Sequence, residues 1–371
     1  MRTLFILALS VFCGLPVLRA QTVSFAAPVQ YKIGSHPYSI AVADFNGDRK
    51  VDIVVSDSTS DMISVALGNG NGTFQTPATF PVGDQPRHVA VGDFNKDGKM
   101  DVVVTDSFSN AISVLLGNGN GTMQPHVMYS TNNTPGPYGV AVADFNHDGN
   151  LDIVVADVGI SQITYVISMF MGKGDGTFSA VKKIQAGSQP SGVVIADLNA
   201  DGKPDIAVSN WASNNVSILL GNGDGTFLPA VNYDAGLNAM SVGAGDFNKD
   251  GKLDLAVSNH GSGNVSILLG NGDGTFQPAV NYPAGVYCKK LAIGDLNHDG
   301  NLDIVVPNYR SSDISILLGR GDGTFAPTIT LEGNGGPDGA VIVDLNGDSK
   351  PDLVVTNLNT NDISVLLNTT P

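Results

Sequence analysis

Glutamate is nearly missing from this 371-residue chain: Glu332 is the only one among 35 acidic residues, and all the others are aspartate. Glutamate favours helices, whereas aspartate favours turns, caps and metal sites, so the ratio argues against a helical fold and for loops built on Asp. Charge is scarce as well. Charged residues make up 15% of the chain, with 19 basic residues and a net charge of −16, which argues against nucleic acid as a partner. Only two cysteines occur, Cys13 and Cys288. If the segment holding Cys13 is removed, no internal disulfide can form. Apolar runs long enough to cross a bilayer are absent; the longest, Leu4 to Leu18, is short for a membrane span. What the chain has in quantity is 45 Gly and 19 Pro, with 42% hydrophobic residues. That is turn chemistry around a buried core, and it argues against disorder.

The N-terminus is Met1-Arg2-Thr3, the apolar run, then Arg19-Ala20-Gln21. A basic start, a short apolar stretch and a small residue at its end describe a secretory signal over residues 1–20. Phe12 stands before Cys13 where a lipoprotein signal takes a small residue, so lipidation is not expected. The mature protein is expected to begin at Gln21 and to be secreted, periplasmic or held at the cell surface. Cys288 is expected to be an unpaired, partly buried thiol.

One pattern recurs seven times: an apolar strand, then D-[FL]-N-x-D-x-x-x-D, then a run such as Ile-Val-Val. The first Asp of each copy is Asp44, Asp93, Asp144, Asp197, Asp246, Asp295 and Asp344, a period of 49 with intervals of 51 and 53 in the middle. Each unit predicts four short strands; in the fifth these are Val242–Phe247, Asp254–Ser258, Val265–Leu269 and a strand through Val280 and Tyr282. Continuous apolar strands imply sheets covered on both faces, as in stacked blades. The residue before the first Asp is small in six copies, which suggests crowding near a central axis. The seventh unit stops at Asn368 without a turn or fourth strand. Ser24-Phe25 through Tyr31 matches Thr275-Phe276 through Tyr282 and can supply the missing strand. The predicted fold is all-β: a seven-bladed propeller over residues 21–371, closed by its N-terminal strand.

In D-x-N-x-D-x-x-x-D, oxygen-bearing side chains fall at positions 1, 3, 5 and 9. Such all-oxygen sets suit a hard cation, and several carboxylates in a flexible loop favour Ca²⁺. The candidate ligands are Asp44, Asn46, Asp48 and Asp52; Asp93, Asn95, Asp97 and Asp101; Asp144, Asn146, Asp148 and Asp152; Asp197, Asn199, Asp201 and Asp205; Asp246, Asn248, Asp250 and Asp254; Asp295, Asn297, Asp299 and Asp303; and Asp344, Asn346, Asp348 and Asp352. Up to seven Ca²⁺ ions are expected. Position 6 needs a sharp turn and is Gly in five copies; Arg49 and Ser349 replace it in the first and last, where more strain is expected. Asx turns without metal would use the same residue types, but seven intact copies favour metal.

At these residues the chain resembles the FG-GAP repeats of integrin α-subunit propellers, and more closely the bacterial VCBS-type repeat. The likeness covers about residues 22–368. It implies a seven-bladed propeller with Ca²⁺ held between the first two strands of a blade. No literal Gly-Ala-Pro follows the turn Phe, and the integrin partner subunit and inserted domain have no counterpart, so receptor function is not implied.

The Gly-x-Gly-x-Gly turns repeat six times without a following helix and are hairpin turns, not phosphate cradles. The six histidines show no zinc spacing. Function is expected where the repeat varies, in loops on the face opposite the Asp loops. Tyr38, Arg87, His88, Phe108, Tyr138, Lys289 and Lys290 fall there, and the candidate ligand-binding residues are Trp211, His260, Tyr287, Tyr309 and Arg310. Exposed aromatics beside polar groups suit sugar or peptide binding. No catalytic residue set stands out. The sequence therefore describes a non-catalytic, monomeric binding or adhesion module for a glycan or surface protein; a polysaccharide hydrolase or lyase using the propeller mouth is the alternative.

Overall fold

The computed structural model describes residues 22–132, 134–159 and 165–371. The segment read as a signal peptide lies outside them, as does part of the insertion between Asp157 and Gly172. The described residues contain no helix, and so none long and apolar enough to cross a membrane. They form seven four-stranded sheets, each antiparallel, in the order expected of propeller blades. In blade five the strands are Ala239–Gly245, Asp254–Asn259, Asn264–Leu268 and Val280–Pro283. The first ends before the expected Phe247, because Asp246 opens the loop and Phe247 turns into the core, where it is 2% exposed.

Every second strand is buried at each position, because its sheet is sandwiched between two others. The core therefore lies between blades. Val54, Ile63 and Val65 of blade one pack on Val89, Val102 and Val104 of blade two. The same arrangement continues around to blades seven and one, where Val354, Ile363 and Val365 meet Ile40, Ile53 and Val55. Each such side chain contributes roughly 1.5–3 kcal/mol when fully buried. The small residues before the first Asp have a specific neighbour. A Cβ on Gly92 would stand 2.7 Å from Leu151 of the next blade, and one on Gly245 would stand 2.7 Å from Leu302. In these two copies the crowding comes from the apolar residue at position 8 of the adjoining Asp loop, and at Gly294 it comes from Ile342 of the next inner strand.

The ring closes as the sequence predicts. Val29–Lys32 pairs antiparallel with Asp362–Leu366, Tyr31 facing Ile363. Ala26 N–H donates to Leu367 O and Thr369 N–H to Ser24 O, both at 2.8 Å. Ile33, 2% exposed, enters the core of the seam. Six of the seven junctions between blades also carry a backbone bond. The carbonyl after the first Asp accepts from a turn glycine of the next blade: Phe45 from Gly121 at 2.9 Å, and across the seam Leu345 from Gly72 at 3.1 Å. Blade seven lacks that turn, and the Asn368 side-chain amide donates to Leu296 O at 2.7 Å in its place.

Deleting residues 22–34 should uncover the edge of Asp362–Leu366 and remove Ile33 from the seam. A lower melting temperature and aggregation are expected in a thermal melt followed by light scattering. A truncated protein that melts with the parent would contradict closure by this strand.

Candidate functional site

Each Asp loop is built from its own backbone. The position-6 N–H donates to Oδ2 of the first Asp at 2.8–2.9 Å in all seven copies. The position-5 N–H donates to the Asn at position 3, and the position-7 N–H to the Asp at position 5. These are Asx turns, which aspartate and asparagine favour. The chain turns so tightly that two residues per loop, at positions 4 and 6, take left-handed φ. In blade five these are Lys249 at 58° and Gly251 at 81°; in blade one they are Gly47 at 76° and Arg49 at 64°. Arg49 and Ser349 are indeed left-handed, but Gly47 and Gly347 stand at position 4 of the same loops. Each loop thus carries one glycine and one non-glycine residue in this region. The extra strain expected in the first and last copies is absent; the glycine has changed places.

Position 9 differs from the other three. Asp52 is 0% exposed, and its two oxygens accept from Phe45 N–H and Gly68 N–H, each at 2.8 Å. The same pair of bonds recurs in every copy, with Asn368 N–H as the second donor in blade seven. Position 9 therefore ties the loop to the turn after strand three. Positions 1, 3 and 5 face the exposed side. Lys50, Lys99, Lys203 and Lys252 reach back to the position-5 carboxylates at 3.0–3.5 Å. The Lys99 hydrogen bond lowers the Asp97 pKa.

These loops pass one test of fitness for a cation and leave another open. Burial raises the pKa of Asp52, and the charges of Asp48 and Asp44 raise it further; the corresponding groups do so in every blade. Asp101 is pushed up to about 6 and Asp303 to about 7. Three mutually repelling carboxylates within one loop are a charge arrangement that a cation relieves. Ionised carboxylates also keep lone pairs beyond those used by one N–H per oxygen. Yet no trio of acidic, His or Cys side chains among the described residues converges on a metal-binding point, because these carboxylates are turned toward N–H groups and lysines.

On the opposite face the inner strands present two rings of side chains. The first is Tyr38, Arg87, Tyr138, Ser191, Met240, Lys289 and Asp338; the second, one residue further along, is Ser39, His88, Gly139, Gly192, Ser241, Lys290 and Gly339. The sequence-predicted ligand residues gather around the first ring. Trp211 and His260 rings lie 4.8 Å apart, and His260 stacks on Tyr287 at 4.2 Å with 14° between planes. Arg310 donates to Tyr287 OH at 3.0 Å. Tyr309 joins through Lys289, whose ammonium lies 5.2 Å from its ring. A 270 Å³ cavity is lined by Tyr38, Tyr138, Gln189, Trp211, Met240, His260 and Lys289. A second, of 340 Å³, adjoins it at Tyr138 and Val158 and reaches Arg87 and Phe108. Burial, and then Lys289, push His260 down to about 4. Cys288 is fully buried, not partly, and burial pushes its thiol up to about 12. Sequence reasoning missed Asp338, 2% exposed and 2.9 Å from Lys289. Its signal was its column: it occupies the place held by Tyr38 and Lys289 in other blades.

The FG-GAP-like repeat family matches residues 44–104, 93–155, 157–208, 197–257, 246–306 and 295–355, a set that includes all seven Asp loops. The chain belongs to this family of repeat propellers. Solved structures similar in fold include the following three. One is described as showing specific recognition of non-reducing terminal N-acetylglucosamine by an Agrocybe aegerita lectin; it is 21% identical, with TM-score 0.57 over 87% of this chain and 86% of that one. BBS1N in complex with ARL6DN is 11% identical, with TM-score 0.65 over 94% and 97%. A functionally unknown protein from Desulfotomaculum acetoxidans is 12% identical, with TM-score 0.57 over 81% and 91%. At these identities the likeness is one of fold alone. No curated protein matches the sequence.

The division of labour within the loop is testable in EDTA. Asp254→Asn puts an amide where two N–H donors point and should cost about 1–3 kcal/mol. Asp250→Asn, on the exposed side, should change stability by no more than about 0.5 kcal/mol. Equal losses in urea unfolding would contradict the assignment.

Proposed function

We propose that the protein is an exported, calcium-loaded propeller that binds glycans at its mouth and performs no chemistry on them. The observation that carries this is the Trp211–His260–Tyr287 ladder beside the 270 Å³ cavity. Aromatic faces next to hydrogen-bonding groups suit the apolar and hydroxyl faces of a sugar. Glycoside hydrolysis by the usual route needs two carboxyl groups across the bond. The mouth ring has one, Asp338, and it is paired with Lys289. The Agrocybe lectin, a structural neighbour described as recognising a terminal sugar, is in keeping with this reading.

In each loop the residues that would hold Ca²⁺ are those at positions 1, 3 and 5, such as Asp246, Asn248 and Asp250, with Asp254 behind them. The ion would supply positive charge among the three carboxylates and no reaction step. Position 5 would have to exchange its lysine for the ion, which the exposure of Lys252 permits. The N-terminal segment supports export.

A glycan array in calcium-containing buffer tests the function. The parent is expected to retain a defined set of glycans, and Trp211→Ala to lose at least tenfold in affinity for them with an unchanged melting temperature. An array on which the parent binds nothing, or binds as its Trp211→Ala variant does, would overturn the reading.

A further inference from the structure

The second ring of the channel holds a charge that the fold does not use. Five of its seven members are serine or glycine: Ser39, Gly139, Gly192, Ser241 and Gly339. The other two are His88 and Lys290. They line a 240 Å³ cavity whose remaining walls are the inner strands. Lys290 is partly buried, and its only hydrogen bond among the described residues is to Ser39 Oγ at 3.4 Å. Among the described residues it makes no ion pair.

Arg87, in the first ring, lines the 340 Å³ cavity. Its guanidinium donates to Gln85 at 2.9 Å and lies 4.5 Å from the Tyr38 ring centre, again without a carboxylate. Asp338 is the only acid in the two rings, and Lys289 occupies it at 2.9 Å. Buried His88 shares the cavity lining with Lys290 and packs against the Tyr38 and Tyr138 rings, 6.0 and 4.8 Å away. After burial itself, Lys290, Arg87 and Lys289 are what hold His88 well below its ordinary range. Burial lowers Lys290 to about 8 despite the attraction of Asp338. This concentration of positive charge sits in a protein whose net charge is −16. Unpaired cations at the mouth repel one another and lose hydration, so they cost the folded state free energy. Sites where a local rule is broken without local compensation are where function is expected.

We propose that the channel mouth is an anion seat, in which Lys290 and Arg87, with the hydroxyl of Ser241, hold the carboxylate or sulfate group of an acidic glycan. Lys290 and the Ser241 hydroxyl supply donors from the channel wall, and the Arg87 guanidinium, in the first ring, supplies a planar fork. The sugar part belongs to the adjoining aromatic cavity, so the proposal rests on the glycan reading and sharpens it. The ligand class becomes uronate-bearing or sulfated oligosaccharide.

The probes are trigalacturonate, a sulfated trisaccharide, a neutral trisaccharide and inorganic sulfate. Binding is measured by calorimetry with the full chain in calcium buffer, and the His88 imidazole is followed by NMR. An acidic trisaccharide is expected to bind at least tenfold tighter than the neutral one. Its affinity should fall with salt and drop at least tenfold in Lys290→Gln and in Arg87→Gln. The better of the two acidic probes identifies carboxylate or sulfate as the natural group. Free Lys290→Gln should melt no lower than the parent, since it loses an unpaired cation; a lower melt would count against the seat. Equal binding of acidic and neutral trisaccharides, unaffected by Lys290→Gln, would overturn the seat and leave the glycan reading intact. A His88 response to sulfate with no trisaccharide bound would support the seat and sink the glycan reading. No response of His88 to any anion would overturn the seat.

Discussion

The ring rests on a buried aspartate that accepts two backbone N–H bonds. In each blade the Asp at position 9, fully buried, takes one bond from the residue after the first Asp and one from the turn beyond strand three. The carbonyl of that same first-loop residue reaches the next blade. One carboxylate therefore fixes the loop, fixes the turn and aligns the junction between blades. A neutral or apolar residue there would leave two buried N–H groups without partners. This coupling also explains how an ion in an exposed loop could act on the whole ring. A ligand that binds only the folded state stabilises it by about 2.7 kcal/mol at 100 times its Kd, and seven such sites share one cooperative ring.

Much of this was legible in the sequence because repetition amplifies weak signals. A single apolar run such as Leu255-Ala256-Val257 is ambiguous; seven of them at a fixed spacing are not. Ring closure was legible because Phe25 to Tyr31 repeats the pattern of Phe276 to Tyr282. The turn geometry was only half legible. The Gly at position 6 announced a left-handed residue, but Lys96, His147 and Ala200 at position 4 gave no sign of theirs. In those blades the bonds to the first Asp over-determine the loop and hold an unfavoured residue in place. Position 9 reads in the sequence as a fourth ligand oxygen that returns from the next strand, because spacing does not reveal burial. Its partners, such as Gly270 N–H, lie sixteen residues away in the chain and meet it only in the fold.

Function is expected where the repeat stops repeating. Along the second strands the blades are nearly interchangeable, since each packs between similar neighbours. At the first ring the same column reads Tyr38, Arg87, Tyr138, Ser191, Met240, Lys289 and Asp338, six different residue types at one backbone position. Packing alone does not demand that variety. Individual aromatics of the mouth were visible in sequence, but the contrast between paired Lys289 and unpaired Lys290 was not. The two residues are neighbours in the chain, and only the structure shows that Lys289 reaches Asp338 while Lys290 lies among serines and glycines.

The proposal that the Asp loops hold Ca²⁺ is tested most directly by native mass spectrometry of residues 21–371. Spectra are recorded after equilibration with Ca²⁺, then with Mg²⁺, then with EDTA. The account predicts a dominant species with seven bound Ca²⁺, loss of all seven in EDTA with a fall in melting temperature, and little occupancy by Mg²⁺. A chain that carries no Ca²⁺ and melts identically in EDTA would contradict it and leave the seven loops as Asx turns alone.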